Sequence, residues 1–259
     1  MSNLRVEVAD HVATVTFDRP PVNAIDRPTM AELGSIFASF SERRDVRVAI
    51  LTATGDRAFM AGVDLKSLAE PLPADAPPAV QLDPPRIARD AMWAIVDCAV
   101  PVIAAVNGPA LGAGLAFAAC CDIIVAAEGA TFGTTEINVG LLGASAHLSL
   151  LVGRHKAREL FFTGETITAA ELHHLGAVRA VVPRAELAAA AATLADTLAA
   201  KSPIALRLAK ESMNRVEGLA LKEAYEIEQS YTARLGLFDD AAEARRAFLG
   251  KRPPEWRWR

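Results

Sequence analysis

The chain of 259 residues is 52% hydrophobic and 22% charged, with a formal net charge of -4. This is enough sequence to bury a sizeable core, in one large domain or two small ones. The small net charge argues against a broad field for nucleic acid, and no apolar stretch approaches the roughly 20 residues of a membrane span. Cys98, Cys120 and Cys121 lack metal-ligand spacing and fit small core residues in a reducing compartment. We expect a globular cytoplasmic protein without a metal site, and without nucleic acid or membrane as a partner.

The first half of the chain predicts strands that alternate with helices. Two runs of β-branched residues flank Asp10 and His11 and predict an N-terminal hairpin. Apolar residues at helical spacing follow, and then short apolar runs that are typical of buried strands. Strands separated by helical patterns indicate β-α units with parallel pairing. The predicted strands cover residues 6–8, 12–17, 46–51, 102–106 and 123–126, and the first predicted helix covers residues 29–41.

Residues 70–85 interrupt this pattern because they contain six prolines. Proline removes a donor and blocks helix, so we expect an irregular surface segment that is either a binding element or disordered. From about Ala185 the sequence is almost entirely helix-forming, and Pro203 fits the first turn of a helix. The basic, aromatic tail 251–259 fits either a solvated terminus or packing on a neighbouring subunit. We predict a core domain over residues 1–200 that holds the functional site, and a C-terminal helical region over residues 201–259.

Two loops that follow predicted buried strands are rich in small residues. The loop 52–65 ends in Ala-Gly-Val63 and leads into Asp64, which is placed to cap a helix. In the loop 106–117, Gly112-Ala113-Gly114 opens an apolar helix. Small residues let a ligand approach the backbone closely, and free N–H groups at a helix start favour negative charge. Two such loops that face one point would form an oxyanion hole.

From spacing alone, two other interpretations of these loops stay open. Gly-Ala-Gly at a helix start also fits a close contact between a helix and a strand. A glycine-rich turn from strand to helix also binds pyrophosphate in dinucleotide sites. Gly108, Gly112 and Gly114 do not form the Gly-x-Gly-x-x-Gly fingerprint, however, and the sequence Gly-x-x-x-x-Gly-Lys-Ser/Thr is absent.

Both loops resemble the oxyanion-hole motifs of the enoyl-CoA hydratase/isomerase (crotonase) family. The matching segments are Arg57-Ala-Phe-Met-Ala-Gly-Val-Asp-Leu65 and Pro101-Val-Ile-Ala-Ala-Val-Asn-Gly-Pro-Ala-Leu-Gly-Ala-Gly114. The resemblance covers roughly residues 4–250 and implies an α/β fold, the crotonase-like ββα spiral with two roughly perpendicular sheets and a helical C-terminal trimerisation region. Further segments match in order, namely Phe17-Asp-Arg-Pro-Pro-Val-Asn-Ala24, Cys121-Asp-Ile-Ile-Val-Ala-Ala127, Thr131-Phe-Gly-Thr-Thr-Glu-Ile-Asn-Val-Gly140, Phe162-Thr-Gly-Glu and Ser202-Pro-Ile-Ala-Leu-Arg-Leu-Ala-Lys-Glu211.

The resemblance also implies catalytic roles. In the family, the residue after Ala-Gly in the first motif and the middle residue of the glycine run each donate a backbone N–H to the thioester oxygen. These positions are Val63 and Ala113. The family's hydratases hold a water between two glutamates, of which Glu136 is present here and the other is replaced by Ala116. The family's double-bond isomerases rely on one glutamate at the position of Glu136, and this arrangement fits the sequence better.

Coenzyme A binds along the first loop in the family, and it arrives as part of the substrate, so no resident cofactor is implied. A lone basic side chain near this path fits a phosphate contact or a solvated surface charge. Histidine acts as an acid or base near neutral pH, but a packed position on a helix is the simpler interpretation of His147. The candidate substrate contacts are Ala24, Ala61, Lys66, Gly112, Arg19 and Arg57. The candidates for a polar group that replaces the missing glutamate are His147, Ser145 and Asn138.

Family members are trimers or dimers of trimers, so we expect a homotrimer or homohexamer with an acyl-CoA thioester as the substrate. Phe248 and Lys251 of a neighbouring subunit would close the site. Three hypotheses about function stay open. The first is enoyl-CoA isomerisation by Glu136, or a hydration in which another group replaces the missing glutamate. The second is other enolate chemistry, such as decarboxylation or thioester hydrolysis, and the third is a non-catalytic acyl-CoA-binding protein.

Overall fold

The larger sheet begins with the predicted hairpin, which is confirmed. The computed structural model describes residues 2–259, in which β1 (Leu4–Ala9) and β2 (Val12–Phe17) pair antiparallel. Asp10 and His11 form the turn between them, and both have positive φ. Such a two-residue turn matches the right-handed twist of the strands that it connects.

All other strands of the larger sheet pair in parallel, as the alternation of strands and helices predicts. The six strands follow the order β1-β2-β3-β4-β6-β9, and a second sheet has the order β5-β7-β8. The pairs β2-β3, β3-β4, β4-β6 and β6-β9 are parallel. The remaining strands are β3 (Val48–Ala53), β4 (Val102–Val106), β5 (Ala110–Leu111), β6 (Ile123–Ala127), β7 (Thr131–Gly133), β8 (Thr166–Thr168) and β9 (Ala180–Val182).

The helices agree with the predicted pattern except in two places. The first begins at Arg27, two residues before the predicted start, because the Asp26 side chain caps it. The segment 70–85 is not wholly irregular, since Pro78 takes the first turn of a short helix, where its missing N–H is not needed. The helices are α1 (Arg27–Ser39), α2 (Leu65–Ala69), α3 (Pro78–Leu82), α4 (Arg86–Val96), α5 (Ala113–Ala119), α6 (Ser145–Val152), α7 (Arg154–Thr163), α8 (Ala169–His174), α9 (Leu187–Ala199), α10 (Pro203–Val216), α11 (Leu221–Leu235) and α12 (Asp239–Leu249).

The central strands β3 and β4 of the larger sheet are buried on both faces. Alternate residues of β3 point to opposite sides, so that Ala49 and Leu51 join the main core while Val48 and Ile50 pack with α9. A parallel sheet that is covered on both faces explains why the strand sequences are continuously apolar. The free thiols of all three cysteines are buried, as predicted.

Lys210 of α10 links the C-terminal helices to the core through hydrogen bonds. This buried side chain donates to the carbonyls of Ile95 and Val100 at 3.0 and 3.3 Å and to Asp122 Oδ2 at 2.7 Å. Much of the tail 251–259 is exposed, although Trp256 donates its indole N–H to the carbonyl of Ala200. Packing of the tail on a neighbouring subunit stays a prediction. The division into domains at residue 200 stays a prediction. Within residues 2–259, no helix is both long enough and apolar enough to span a membrane.

Candidate active site

The two predicted loops lie side by side at the carboxyl ends of β3 and β4. The amide of Phe59 donates to the carbonyl of Pro109 at 3.0 Å, and the amide of Leu111 donates to the carbonyl of Met60 at 2.9 Å. A Cβ placed on Gly62 would lie 3.4 Å from the carbonyl oxygen of Leu111. Parallel neighbouring strands end at the same edge of a sheet, so the loops that follow them meet there.

Two buried asparagines hold the first loop in place, and one of them, Asn107, joins it to the second loop. Asn23 donates its side-chain amide to the carbonyls of Thr54 and Ala58, both at 2.9 Å. Asn107 donates to the carbonyls of Ala53 and Gly55 at 2.9 and 3.1 Å. Sequence reasoning assigned no role to either side chain, although both lie in segments that carry the family resemblance. Their partners are backbone carbonyls, which leave no mark in the sequence.

The amide of Val63 is free of internal hydrogen bonds. Val63 forms an isolated parallel bridge with Ile25, but the bridge uses the carbonyl of Gly62 and the amide of Asp64, at 2.9 and 2.8 Å. Within residues 2–259, the N–H of Val63 donates to no acceptor. Since backbone amides that are shielded from solvent are nearly always paired, this unpaired amide is a candidate donor to a ligand or to water.

The amide of Ala113 is a second free donor. Ala113 is the first residue of α5, so its N–H has no acceptor within the helix. It also donates to no other group within the described chain. Gly112, at φ 53° and ψ -115°, turns the chain from β5 into this helix in a conformation that favours glycine.

The carboxylate of Glu136 lies against this helix start. Glu136 is in the 3-10 helix Thr135–Val139, and its Cδ is 2.8 Å from the position that a Cβ would take on Gly112. Its Oε2 is buried and has no hydrogen-bond partner among the described residues. Burial raises the pKa of Glu136 above its usual range, and within residues 2–259 no charged side chain contributes to this shift. A carboxyl group in such surroundings exchanges protons near neutral pH more readily than an exposed one.

Ala116, where the resemblance places the other hydratase glutamate, is fully buried in α5. Its methyl group contributes to packing and offers no acid, base or hydrogen bond. Among the described residues, no three His, Cys, Asp or Glu side chains are arranged to hold a metal ion.

Some of the candidate substrate contacts have hydrogen-bond partners within the chain, and others are exposed side chains. Arg19 holds the first loop, because it donates to the carbonyl of Ala24 and to Asp64 Oδ2, both at 2.6 Å. Asp64 caps α2, as predicted. Arg57 and Lys66 are exposed near the same loop. Ala61 is half-buried, and its amide donates to the carbonyl of Val22 at 3.2 Å. A phosphate contact by any of these three basic side chains stays a prediction.

The three candidates for a second polar group, Asn138, Ser145 and His147, differ in their position relative to Glu136. Asn138 turns toward Gly164 and donates to its carbonyl at 3.4 Å. Ser145 is exposed at the start of α6. His147 is half-buried one turn from Gly143, which contacts Glu136. Burial lowers the pKa of His147, so its imidazole is neutral at physiological pH.

The fold is that of a crotonase-like α/β protein, and its candidate site presents two backbone amides, those of Val63 and Ala113, that have no acceptor among the described residues. A family model described as enoyl-CoA hydratase/isomerase matches residues 7–259. The chain belongs to this family of enzymes that act on acyl-CoA. The family that the resemblance implies is thereby confirmed, and the match to solved structures confirms the crotonase-like α/β fold with a helical C-terminal region. A role of that region in trimerisation stays a prediction.

Individual relatives differ in the reaction that their names give. The chain is 42% identical over 240 residues to the (7aS)-7a-methyl-1,5-dioxo-2,3,5,6,7,7a-hexahydro-1H-indene-carboxyl-CoA hydrolase of Mycobacterium tuberculosis, which covers 93% of this chain and 95% of the relative. It is 34% identical over 264 residues to the carnitinyl-CoA dehydratase of Proteus mirabilis, which covers 99% of each. The crystal structure of the enoyl-CoA hydratase from Bacillus anthracis has a TM-score of 0.89 at 32% identity and covers 98% of this chain and 99% of that one.

Proposed function

We propose that this protein polarises an acyl-CoA thioester with the backbone amides of Val63 and Ala113 and moves one proton with Glu136. The observation that carries the proposal is the position of the Glu136 carboxylate, which contacts Gly112, the residue next to the Ala113 amide. A base beside a pair of oxyanion donors is the arrangement that forms and quenches an enolate. The buried Ala116 leaves Glu136 as the carboxylate for this task.

The reaction that fits one proton carrier is the isomerisation of a 3-enoyl-CoA to a 2-enoyl-CoA. The Glu136 carboxylate takes a proton from C2, and the electron pair of that C–H bond moves through the thioester to its oxygen. The amides of Val63 and Ala113 donate to this oxyanion. The dienolate then takes the proton back at C4 as the C2–C3 double bond forms. The base is regenerated and the mass of the thioester is unchanged.

The test is turnover of 3-hexenoyl-CoA, followed by mass spectrometry and by the absorbance of the conjugated product. We expect Glu136→Gln to reduce turnover by about 10²- to 10⁴-fold, the range typical of general acid–base groups, while acyl-CoA binding is kept. Glu128→Gln is the matched control, because Glu128 is an exposed glutamate at the end of β6.

Other outcomes of this test contradict the proposal in different ways. Addition of one water to a 2-enoyl-CoA would mean that another group replaces the carboxylate missing at Ala116. Full activity of Glu136→Gln would remove Glu136 from the mechanism. Binding of a panel of acyl-CoA thioesters without turnover would favour the non-catalytic hypothesis.

Hydrolysis of a cyclic, ketone-bearing acyl-CoA is a second candidate. The observation that favours it is the 42% identity to a protein named as a hydrolase of a bicyclic dioxo acyl-CoA. Glu136 would then take a proton from a water molecule as the water oxygen bonds to a carbonyl carbon. In cleavage of a carbon bond, water adds to the ring ketone, the C–C bond breaks, its electron pair moves to the thioester oxygen held by the two amides, and Glu136 returns the proton to that carbon. In thioester hydrolysis, the amides hold the oxygen of the tetrahedral intermediate, the C–S bond breaks, and the proton goes to the sulfur of CoA. Incubation with a cyclic β-keto acyl-CoA separates the possibilities. Gain of one water with CoA retained indicates cleavage of a carbon bond, whereas release of a free thiol indicates thioester hydrolysis.

A further inference from the structure

A pair of stacked rings lies between α4 and α6, near the segment that contacts Glu136. The rings of Trp93 and His147 have centroids 6.5 Å apart and planes inclined by 30°. Trp93 is 49% exposed, and His147 is half-buried in the first turn of α6. Neither ring nitrogen of His147 has a hydrogen-bond partner within residues 2–259, so packing contacts, the stack on Trp93 among them, orient this ring.

The turn that leads into α6 contacts the Glu136 carboxylate directly. A Cβ placed on Gly143 would lie 2.8 Å from Oε1 of Glu136. Ala144 follows in the left-handed conformation and accepts the first hydrogen bond of α6, from Leu148 at 2.9 Å. This hydrogen bond closes the first turn of α6, which contains His147 and follows Gly143 directly. A movement of this turn would therefore also move the Gly143 backbone, which lies against Oε1 of Glu136.

Two contacts fix the first turn of α6. The side chain of Leu148 is fully buried in the main core. On the other side of the turn, His147 stacks on Trp93, which belongs to a different helix. The glycine at position 143 lets the backbone lie closer to the carboxylate than a side chain would allow.

We propose that the Trp93–His147 stack is a positioning element that holds the Gly143 turn against the Glu136 carboxylate and so fixes the orientation of the proton carrier. This inference rests on the proposed function of Glu136. In this role His147 acts through its ring face, and its nitrogens take no part in proton transfer. Neither residue is a catalytic residue.

The electrostatic surroundings agree with a packing role. Burial lowers the pKa of His147, which keeps the ring uncharged and able to stack without desolvating a cation. Burial also raises the pKa of Glu136, so that loss of cover should lower it. The titratable groups on α7, the helix packed against the Glu136 segment, do not contribute to either shift, and they are Arg154, His155, Lys156, Arg158 and Glu159.

The experiment compares His147→Ala, which removes the stack, with His147→Phe, which keeps a ring and removes the nitrogens. With 3-hexenoyl-CoA, we expect His147→Ala to lower kcat by about 10- to 100-fold with little change in KM, because a displacement of about 1 Å at a reacting group has effects of this size. His147→Phe should retain most of the activity. Trp93→Ala and Trp93→Phe should reproduce the same contrast from the partly exposed side of the pair, where a substitution does not disturb the core.

A second measurement does not depend on turnover. In a carbon-13 titration of the Glu136 side chain, His147→Ala should lower the pKa of the carboxyl, and His147→Phe should leave it near that of the wild type. Equal loss of activity in His147→Ala and His147→Phe would overturn the inference in favour of chemistry at the ring nitrogens. Unchanged activity and titration in all four variants would show that the stack does not position Glu136. Loss of activity in Glu136→Gln with an unaffected His147→Ala would remove this inference alone, whereas full activity of Glu136→Gln would remove the proposed function.

Discussion

The carboxyl carbon of Glu136 lies 2.8 Å from the place where a Cβ on Gly112 would stand. A side chain at position 112 would therefore displace the carboxylate, and it would also be strained at φ 53°. We expect Gly112→Ala to lower kcat by about 10²-fold and to destabilise the fold by about 1–3 kcal/mol. The measurements are turnover of an acyl-CoA substrate and thermal unfolding.

Gly153→Ala is the matched control for Gly112→Ala. Gly153 also has positive φ, at 73°, but a Cβ there meets nothing within 4 Å. This control should lose stability without losing activity. If both variants are equally active, contact with Gly112 does not determine the position of the carboxylate.

A proline at Ala113 offers a selective way to remove one oxyanion donor. Ala113 is the first residue of α5, where proline fits the helix and its missing N–H breaks no internal hydrogen bond. We expect Ala113→Pro to reduce turnover by about 100- to 1,000-fold, as the loss of one such donor does elsewhere, while the thermal unfolding temperature changes little. Ala113→Gly keeps the N–H and should keep most of the activity. Similar rates for the two variants would contradict the role of this amide.

The burial of Glu136 has a predictable effect on stability. Its pKa is raised in the folded protein, so ionisation opposes folding, and this cost appears as pH rises through the folded-state pKa. Glu136→Gln should therefore unfold at a higher temperature than the wild type at pH 8, and the difference should vanish below the unfolded-state pKa of about 4.3. Thermal unfolding of the wild type and of Glu136→Gln across this pH range tests the prediction. An equal difference at all pH values would point to a cause other than ionisation.

The ion pair between Arg19 and Asp64 should matter for the first oxyanion loop. The hydrogen bond from Arg19 is the largest cause of the lowered pKa of Asp64. The guanidinium of Arg19 donates to both Asp64 and the carbonyl of Ala24, a geometry that lysine cannot reproduce. We therefore expect Arg19→Lys to lower kcat and to reduce the stability of the first oxyanion loop. A double-mutant cycle with Asp64→Asn should give a coupling of about 1 kcal/mol. Independent effects of the two substitutions would show that the pair does not support the loop.

Lys210 provides a test of whether the C-terminal region behaves as a separate unit. Removing its ammonium group leaves two carbonyls and Asp122 without this donor, so Lys210→Met should destabilise the fold by about 2 kcal/mol. Lys201→Met is the control, because Lys201 is exposed. If residues 201–259 unfold separately, calorimetry of Lys210→Met will show two transitions. A single shifted transition would contradict the division at residue 200.

Much of the fold follows from local sequence patterns. The hairpin at Asp10 and His11, the strand 102–106 and the helix that begins at Pro203 were predictable, because strand alternation, turn residues and a proline in the first turn act over a few neighbouring residues. The family resemblance located the two loops and Glu136 for the same reason, since each motif is contiguous. The short helix Pro78–Leu82 was not predicted, because proline at a helix start and proline in an irregular loop look alike in sequence.

The sequence by itself determined which segments match the motifs of the family and that position 116 lacks a carboxylate. Only the tertiary structure decided what these segments contact: Asn23 and Asn107 reach backbone carbonyls of the first loop, and Arg19 is engaged by Asp64 rather than exposed. It also decided that Glu136 is half-buried, with its carboxylate against Gly112 and Gly143, and that His147 stacks on Trp93. The physical reason is that burial, and the pKa it sets, depend on residues far apart in the chain, whose distances no local pattern encodes.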